Sequence, residues 1–185
     1  MPEIRDVIGT LMPYYADDIE LLNPSDELTE LLNIFKHNFL TEGVLFNDKR
    51  IWVENKRANI KQFYAYPFTF VHVITQQAEN GQREFDQIRA KRVHWIKPIL
   101  VNCDDDRVFV FERSHDKTGM PQLYFWLKEF NYVVILRGLN EEKHLVTAFY
   151  VEDRKARQFE RWLLEMPLNE KPHILCGARN LRHCD

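Results

Sequence analysis

Two periods of apolar spacing alternate along this chain, and the points where one gives way to the other mark out its elements. After Asn23-Pro24-Ser25, the run DELTELLNIFKHNF places Leu28, Leu31, Leu32 and Phe35 three or four positions apart, the spacing of one helix face. Asn23 or Ser25 is positioned to cap that helix, and the acidic Asp26 and Glu27 in its first turn suit the helix dipole. Beyond Gly43 the period drops to two: GVLFN and RIWVE alternate on either side of Asn47-Asp48-Lys49, which predicts a hairpin. Residues 59–76 are aromatic and β-branched and are interrupted by Pro67, so an edge strand or extended arm is expected, followed by the loop QQAENGQ.

From Arg83 to about Cys103 the helical period returns. At roughly 100° per residue, Phe85, Ile88, Arg92, Trp95, Ile96, Ile99 and Cys103 fall within about 100° of arc. This puts Arg92 in the middle of an apolar stripe, Arg89 at its margin and His94 on the other side, while Pro98 should kink or split the helix near Lys97. After Asp104-Asp105-Asp106 come four alternating runs, RVFVFER, QLYFWLK, NYVVILRG and HLVTAFYV, joined by short or turn-rich links. Short links favour antiparallel neighbours. The chain is therefore expected to be α+β: an N-terminal helical and hairpin segment, then a helix packed on a four-stranded antiparallel meander, closed by a helix over residues 153–165. One domain over 1–185 is expected, with 1–60 an N-terminal extension and 61–170 the core.

Composition narrows the class. A 45% hydrophobic and 13% aromatic content supplies a core and excludes a disordered chain. No apolar run approaches the roughly 18–20 residues of a bilayer span, and MPEIRDVIG lacks a signal peptide's layout, so a cytoplasmic protein without membrane contact is expected. Cys103, Cys176 and Cys184 are odd in number and irregularly spaced, which suits reduced thiols. The net charge of −3 is uneven: residues 1–30 carry eight acidic groups against one basic, leaving +4 on the remainder. Two windows are basic, 49–61 with Lys49, Arg50, Lys56, Arg57 and Lys61, and 83–97 with Arg83, Arg89, Lys91, Arg92 and Lys97. Such stripes either pair with phosphates or form solvated faces.

Among single residues Arg92 stands out, because a guanidinium among apolar positions needs a carboxylate or a polar cleft. Glu112 could supply the first; the second would be an anion site in which Arg89 assists. Thr147 sits on a strand apolar on both faces, its own face expected to carry Leu145, Phe149 and Val151. It is either a good strand former or a donor to a phosphate oxygen. His72 is either an ordinary packed histidine or a group that transfers protons near neutral pH. Asp104–Asp106 reads better as a turn than as a metal site. The spacing of His173, Cys176, His183 and Cys184 matches no zinc knuckle, so neither metal nor cofactor is expected. There is no GxGxxG, P-loop, HExxH or GxSxG, which argues against nucleotide hydrolases, zinc proteases and esterases.

The order His72, then Arg89 and Arg92 ahead of WIKPIL, then a meander ending in LVTAFYV, resembles the ribonuclease superfamily that unites barnase, EndoU, tRNA-cleaving colicins and RelE, in particular its phage-associated branch. The resemblance spans about residues 68–165. It implies a toxin- or phage-type, metal-independent endoribonuclease with a nuclease-like core over 61–170, cleaving RNA through a 2′,3′-cyclic phosphate. The matching catalytic positions are His72, Arg92 and Thr147, with Arg89, Lys97 and Arg113 as substrate-binding residues. Phe149 stands where the family's TAY motif has its aromatic, and His144 is the one other histidine on the last strands. RNA is the partner implied, with a cognate inhibitor or immunity protein as a further expectation. The alternatives are a non-catalytic RNA- or protein-binding module using the same basic face, and a restrained enzyme whose acidic first 30 residues cover it.

Overall fold

The computed structural model describes residues 6–115, 118–139 and 142–166. Helix α1 (Asp26–Lys36) is capped by Ser25, whose Oγ accepts from the Leu28 amide at 3.1 Å. Asn23 is used otherwise, accepting from the Tyr66 hydroxyl at 3.1 Å. Leu28, Leu31, Leu32 and Phe35 are buried as their spacing predicts, and the helix runs on through a wider π turn at His37–Glu42. Strands β1 (Leu45–Phe46) and β2 (Lys49–Trp52) form a hairpin whose two turn residues, Asn47 and Asp48, both have positive φ (51° and 61°). That conformation gives the tight turn its twist, and Asn and Asp tolerate it better than other side chains.

Residues 59–76 are not an extended arm. After a 3-10 turn at Lys61–Phe63, Pro67 opens helix α2 (Phe68–Ile74), and only Thr75–Gln77 is a strand, β3. Proline suits a helix start, where the missing N–H would have no partner. Thr69, Phe70, Val71, Val73 and Ile74 are all buried, so α2 is enclosed on nearly every side and shows no amphipathic period. Strand β4 (Arg83–Phe85) pairs back antiparallel onto β3, turning the expected loop into a hairpin.

The continuous helix expected from Arg83 to Cys103 is also broken. Helix α3 (Gln87–Ala90) is a single turn, a 3-10 turn follows at Val93–Trp95, and α4 (Ile96–Val101) completes the stretch. The break lies ahead of Pro98, which falls in the first turn of α4 where proline is tolerated. Arg92 itself is non-helical (φ −114°, ψ 9°), so the stripe that placed it among apolar residues does not exist there. Ile88, expected inside, is 51% exposed.

Strands β5 (Val108–Ser114), β6 (Pro121–Leu127), β7 (Tyr132–Leu139) and β8 (Glu142–Tyr150) follow one another antiparallel. They do not stand alone as a four-stranded meander: the sheet has six strands in the order β1-β2-β8-β7-β6-β5, with β2 parallel to β8. That parallel pairing covers only Ile51–Lys143 and Trp52–His144, so the rest of β8 is left for α2 to pack against. One sheet face, with Val110, Phe125, Val134 and Ala148, shares a core with α1, α2 and α4. The other, with Phe111, Tyr124, Trp126, Val133 and Ile135, is covered by α5 (Asp153–Glu165) through Phe159.

Residues 6–22 run along α3 and the following turn. Lys91, only 2% exposed, donates from Nζ to the carbonyls of Ala16 (2.8 Å) and Asp17 (3.1 Å), and the Met12 carbonyl accepts from Trp95 Nε1 at 2.8 Å. Cys103 is buried and disulfide-bonded, where reduced thiols were expected; Cys176 and Cys184 lie outside the described residues, as do His173 and His183. Among the described residues no helix is long and apolar enough to cross a membrane.

Candidate functional site

Helix α2 ends where β8 is free of β2, and this brings His72 to Thr147. The Thr147 hydroxyl donates to the His72 main-chain carbonyl at 3.0 Å. A β-bulge sets Thr147's direction: Ile135 faces Thr147 and the next residue, Leu136, faces Leu145, so Val146 is an extra residue in the strand. Leu145 consequently turns into the main core, away from Thr147, correcting the simple alternation expected for this strand.

The imidazole is framed from two sides. One helical turn before it, the Phe68 ring lies 4.3 Å away between centroids at an interplanar angle of 35°. From β4, Arg83 reaches back across the hairpin: Nη2 lies 2.8 Å from His72 Nδ1, and Nη1 donates to Thr75 Oγ1 at 2.9 Å. A guanidinium only donates, so Nδ1 accepts and the ring proton belongs on Nε2. Arg89 joins from α3. Its Nη1 donates to the Thr75 carbonyl at 2.7 Å, its Nε pairs with Asp86 Oδ2 at 3.0 Å, and its guanidinium sits 5.2 Å over the Phe149 ring. Asp86 holds α3 in register by capping it through the Arg89 amide at 3.1 Å.

This network is short of negative charge. Asp86 is the one carboxylate ion-paired within it, among the described residues, against two arginines and a histidine. Burial, then the Arg83 charge, lowers the His72 pKa to about 4. Arg83 is itself lowered, first by burial and then by Arg89. Burial lowers Arg89 as well, with Asp86 opposing. His72 is therefore neutral at pH 7, and two arginine charges are held close together at a partly open surface.

The remaining expected residues fall elsewhere. Arg92 is outside this hydrogen-bonded network: Nη1 donates to the Ile88 carbonyl at 3.0 Å, Nη2 lies 3.8 Å from Asp17, and the guanidinium stacks 5.2 Å from the Trp95 ring centroid. It lines a neighbouring cleft of about 360 Å³ with Lys91 and Tyr150. Burial pushes the Tyr132 phenol up, while the charges of Arg89 and Arg92 both pull it down. Glu112 is exposed and is not Arg92's partner. Lys97 is ion-paired with Glu42, and Arg113 contacts Glu165 at 3.3 Å and the Trp162 carbonyl at 3.1 Å, so both are occupied by structural contacts away from His72. His144 lies 3.6 Å from Glu142. Asp105 is taken up by Arg107, and no group of three metal-ligating side chains occurs among the described residues.

Arg83 is the residue that sequence reasoning missed. It lines a cleft of about 860 Å³, together with residues 59–62, Gly81 and Gln82. A signal was available: Asn80-Gly81 between Gln77 and Arg83 is a turn dipeptide, and a hairpin there folds Arg83 back over the end of α2. No family model matches the chain, and no curated protein or solved structure matches it.

Proposed function

We propose that the chain is a metal-independent endoribonuclease acting at the His72–Arg83–Arg89–Thr147 network. What supports this above all is one juxtaposition: an imidazole, two arginines and a threonine hydroxyl joined through Thr75 and the His72 carbonyl, with a single ion-paired carboxylate among them. A phosphate diester would supply the missing negative charge. His72 takes the proton of the RNA 2′-OH, the 2′-oxygen bonds to phosphorus, and the bond to the 5′-oxygen breaks. That oxygen leaves with the electron pair and takes a proton from solvent, leaving a 2′,3′-cyclic phosphate. Arg83 and Arg89 stabilise the charge gathering on the phosphoryl oxygens. Thr147 fixes the end of α2 that carries His72, and Arg92 holds a neighbouring phosphate in its own cleft.

A second reading, a binding module without catalysis, is favoured by one observation. Arg83 occupies Nδ1, and with its pKa near 4 the resting imidazole is a weak base. The two separate cleanly in EDTA. The nuclease cuts single-stranded RNA and spares DNA of the same sequence, and Thr147→Val slows it about tenfold, the weight of one hydrogen bond. The module leaves RNA intact, and its salt-sensitive binding survives His72→Ala.

A further inference from the structure

His72 and the 860 Å³ cleft meet at a single side chain, Arg83. Among the described residues, those lining the cleft include two cations, Lys61 and Arg83, and no carboxylate. Arg83 also has no ion-pair partner among the described residues; its contacts are the Thr75 hydroxyl and carbonyl and the neutral imidazole. Gln62 Nε2 donates to the Arg83 carbonyl at 2.6 Å, tying the two walls of the cleft together. A neutral ring nitrogen is a weaker acceptor for a guanidinium than a phosphate oxygen, which carries the opposite charge and can take two parallel N–H bonds from the fork. The charged and titratable groups around the imidazole are few. Arg83 comes from β4, Arg89 with Asp86 reaches the same threonine from α3, and α2 and β8 contribute only Phe68 and the uncharged Thr147.

We propose that this cleft binds a phosphate of an RNA strand, and that Arg83 moves from His72 Nδ1 to that phosphate, releasing the Nδ1 lone pair to accept a proton. The resting protein then holds its base capped, and the substrate's own charge uncaps it. The phosphate shifts the arginine because it binds the uncapped state better, the condition for any ligand-driven change. Once Nδ1 takes the 2′-OH proton, the imidazolium forms beside the bound phosphate, which offsets its charge. The identity of the proton donor rests on the ribonuclease reading; binding and uncapping do not.

The test is ¹⁵N NMR of His72 in the full chain, titrated with inorganic phosphate and then with an uncleavable 2′-deoxy dinucleotide. Saturating phosphate should raise the His72 pKa by about one unit or more, a tenfold gain in proton affinity. Arg83→Gln should start with a raised His72 pKa, bind phosphate about tenfold more weakly, and show a smaller further shift at saturation, the part due to the charge of the phosphate alone. Lys61→Gln should weaken phosphate binding while leaving the phosphate-free His72 pKa unchanged. An equal phosphate-induced shift in wild type and Arg83→Gln, or none in wild type at saturation, overturns the proposal. Uncapping with RNA left intact would instead remove the nuclease reading and keep this one.

Discussion

Replacing His72 with alanine should lower the rate of RNA cleavage by about 10²–10⁴-fold, the range expected for loss of a general base, without unfolding the protein. Alanine has the highest helix propensity, so α2 should persist. The Thr147 hydroxyl bonds the His72 main-chain carbonyl, which the substitution keeps. Arg83 loses its imidazole partner but retains the Thr75 hydroxyl. Initial rates together with a melting curve check this. A folded variant that cuts at the wild-type rate would show that the base lies elsewhere. The pH profile sharpens the assignment. With the free His72 pKa lowered to about 4, kcat/KM should rise as pH increases through that value and then level off, because the neutral form is the competent one. The variant's residual activity should lack this limb.

Phe159→Ala should be the most damaging substitution in the core beneath α5, costing about 3–5 kcal/mol in urea unfolding. The ring is fully buried and lies 5.4–5.7 Å, centroid to centroid, from Phe111, Tyr124, Trp126 and Trp162, so it is the hub through which α5 covers the sheet. Truncation leaves a cavity that four large rings cannot close without abandoning their edge and stacked contacts. A loss of that size is a large part of the stability of a typical domain. A change below about 1 kcal/mol would mean that α5 is not packed on the sheet as described.

What the sequence disclosed, and what it withheld, follows from where burial is one-sided. Helix α1 buries one face, so its period survives in the residue pattern, whereas β6 and β7 are buried on both faces and were legible as apolar runs of strand length between turns; Ser25 and Asn47-Asp48 mark a cap and a turn by their own chemistry. Helix α2 left no period because Thr69, Phe70, Val71, Val73 and Ile74 are all inside, and a short buried helix rich in β-branched residues reads like a strand. Between Arg83 and Cys103 the buried Trp95, Ile96, Ile99 and Cys103 keep helical spacing across a chain that is not one helix, which is why Arg92 was misplaced. The bulge at Val146 adds a residue without any compositional mark, and the parallel joining of β2 to β8 depends on partners about ninety residues apart.

For the candidate site, His72, Thr147 and Arg89 were named from sequence and the fold draws them into one network, whereas Arg92 borders it and Lys97 and Arg113 are paired elsewhere. Arg83 was named only as part of a basic window because its approach to His72 depends on a hairpin of two three-residue strands closing over the end of α2. Local pattern fixes which residues share a face; it does not fix which faces meet.

The most direct measurement uses a DNA oligonucleotide carrying a single ribonucleotide, incubated with the protein in EDTA and analysed by mass. Cleavage only on the 3′ side of that ribonucleotide, leaving a 2′,3′-cyclic phosphate, is the expected result. An oligonucleotide left whole, or cut equally well where every sugar is deoxy, would contradict transfer to a 2′-hydroxyl at this network.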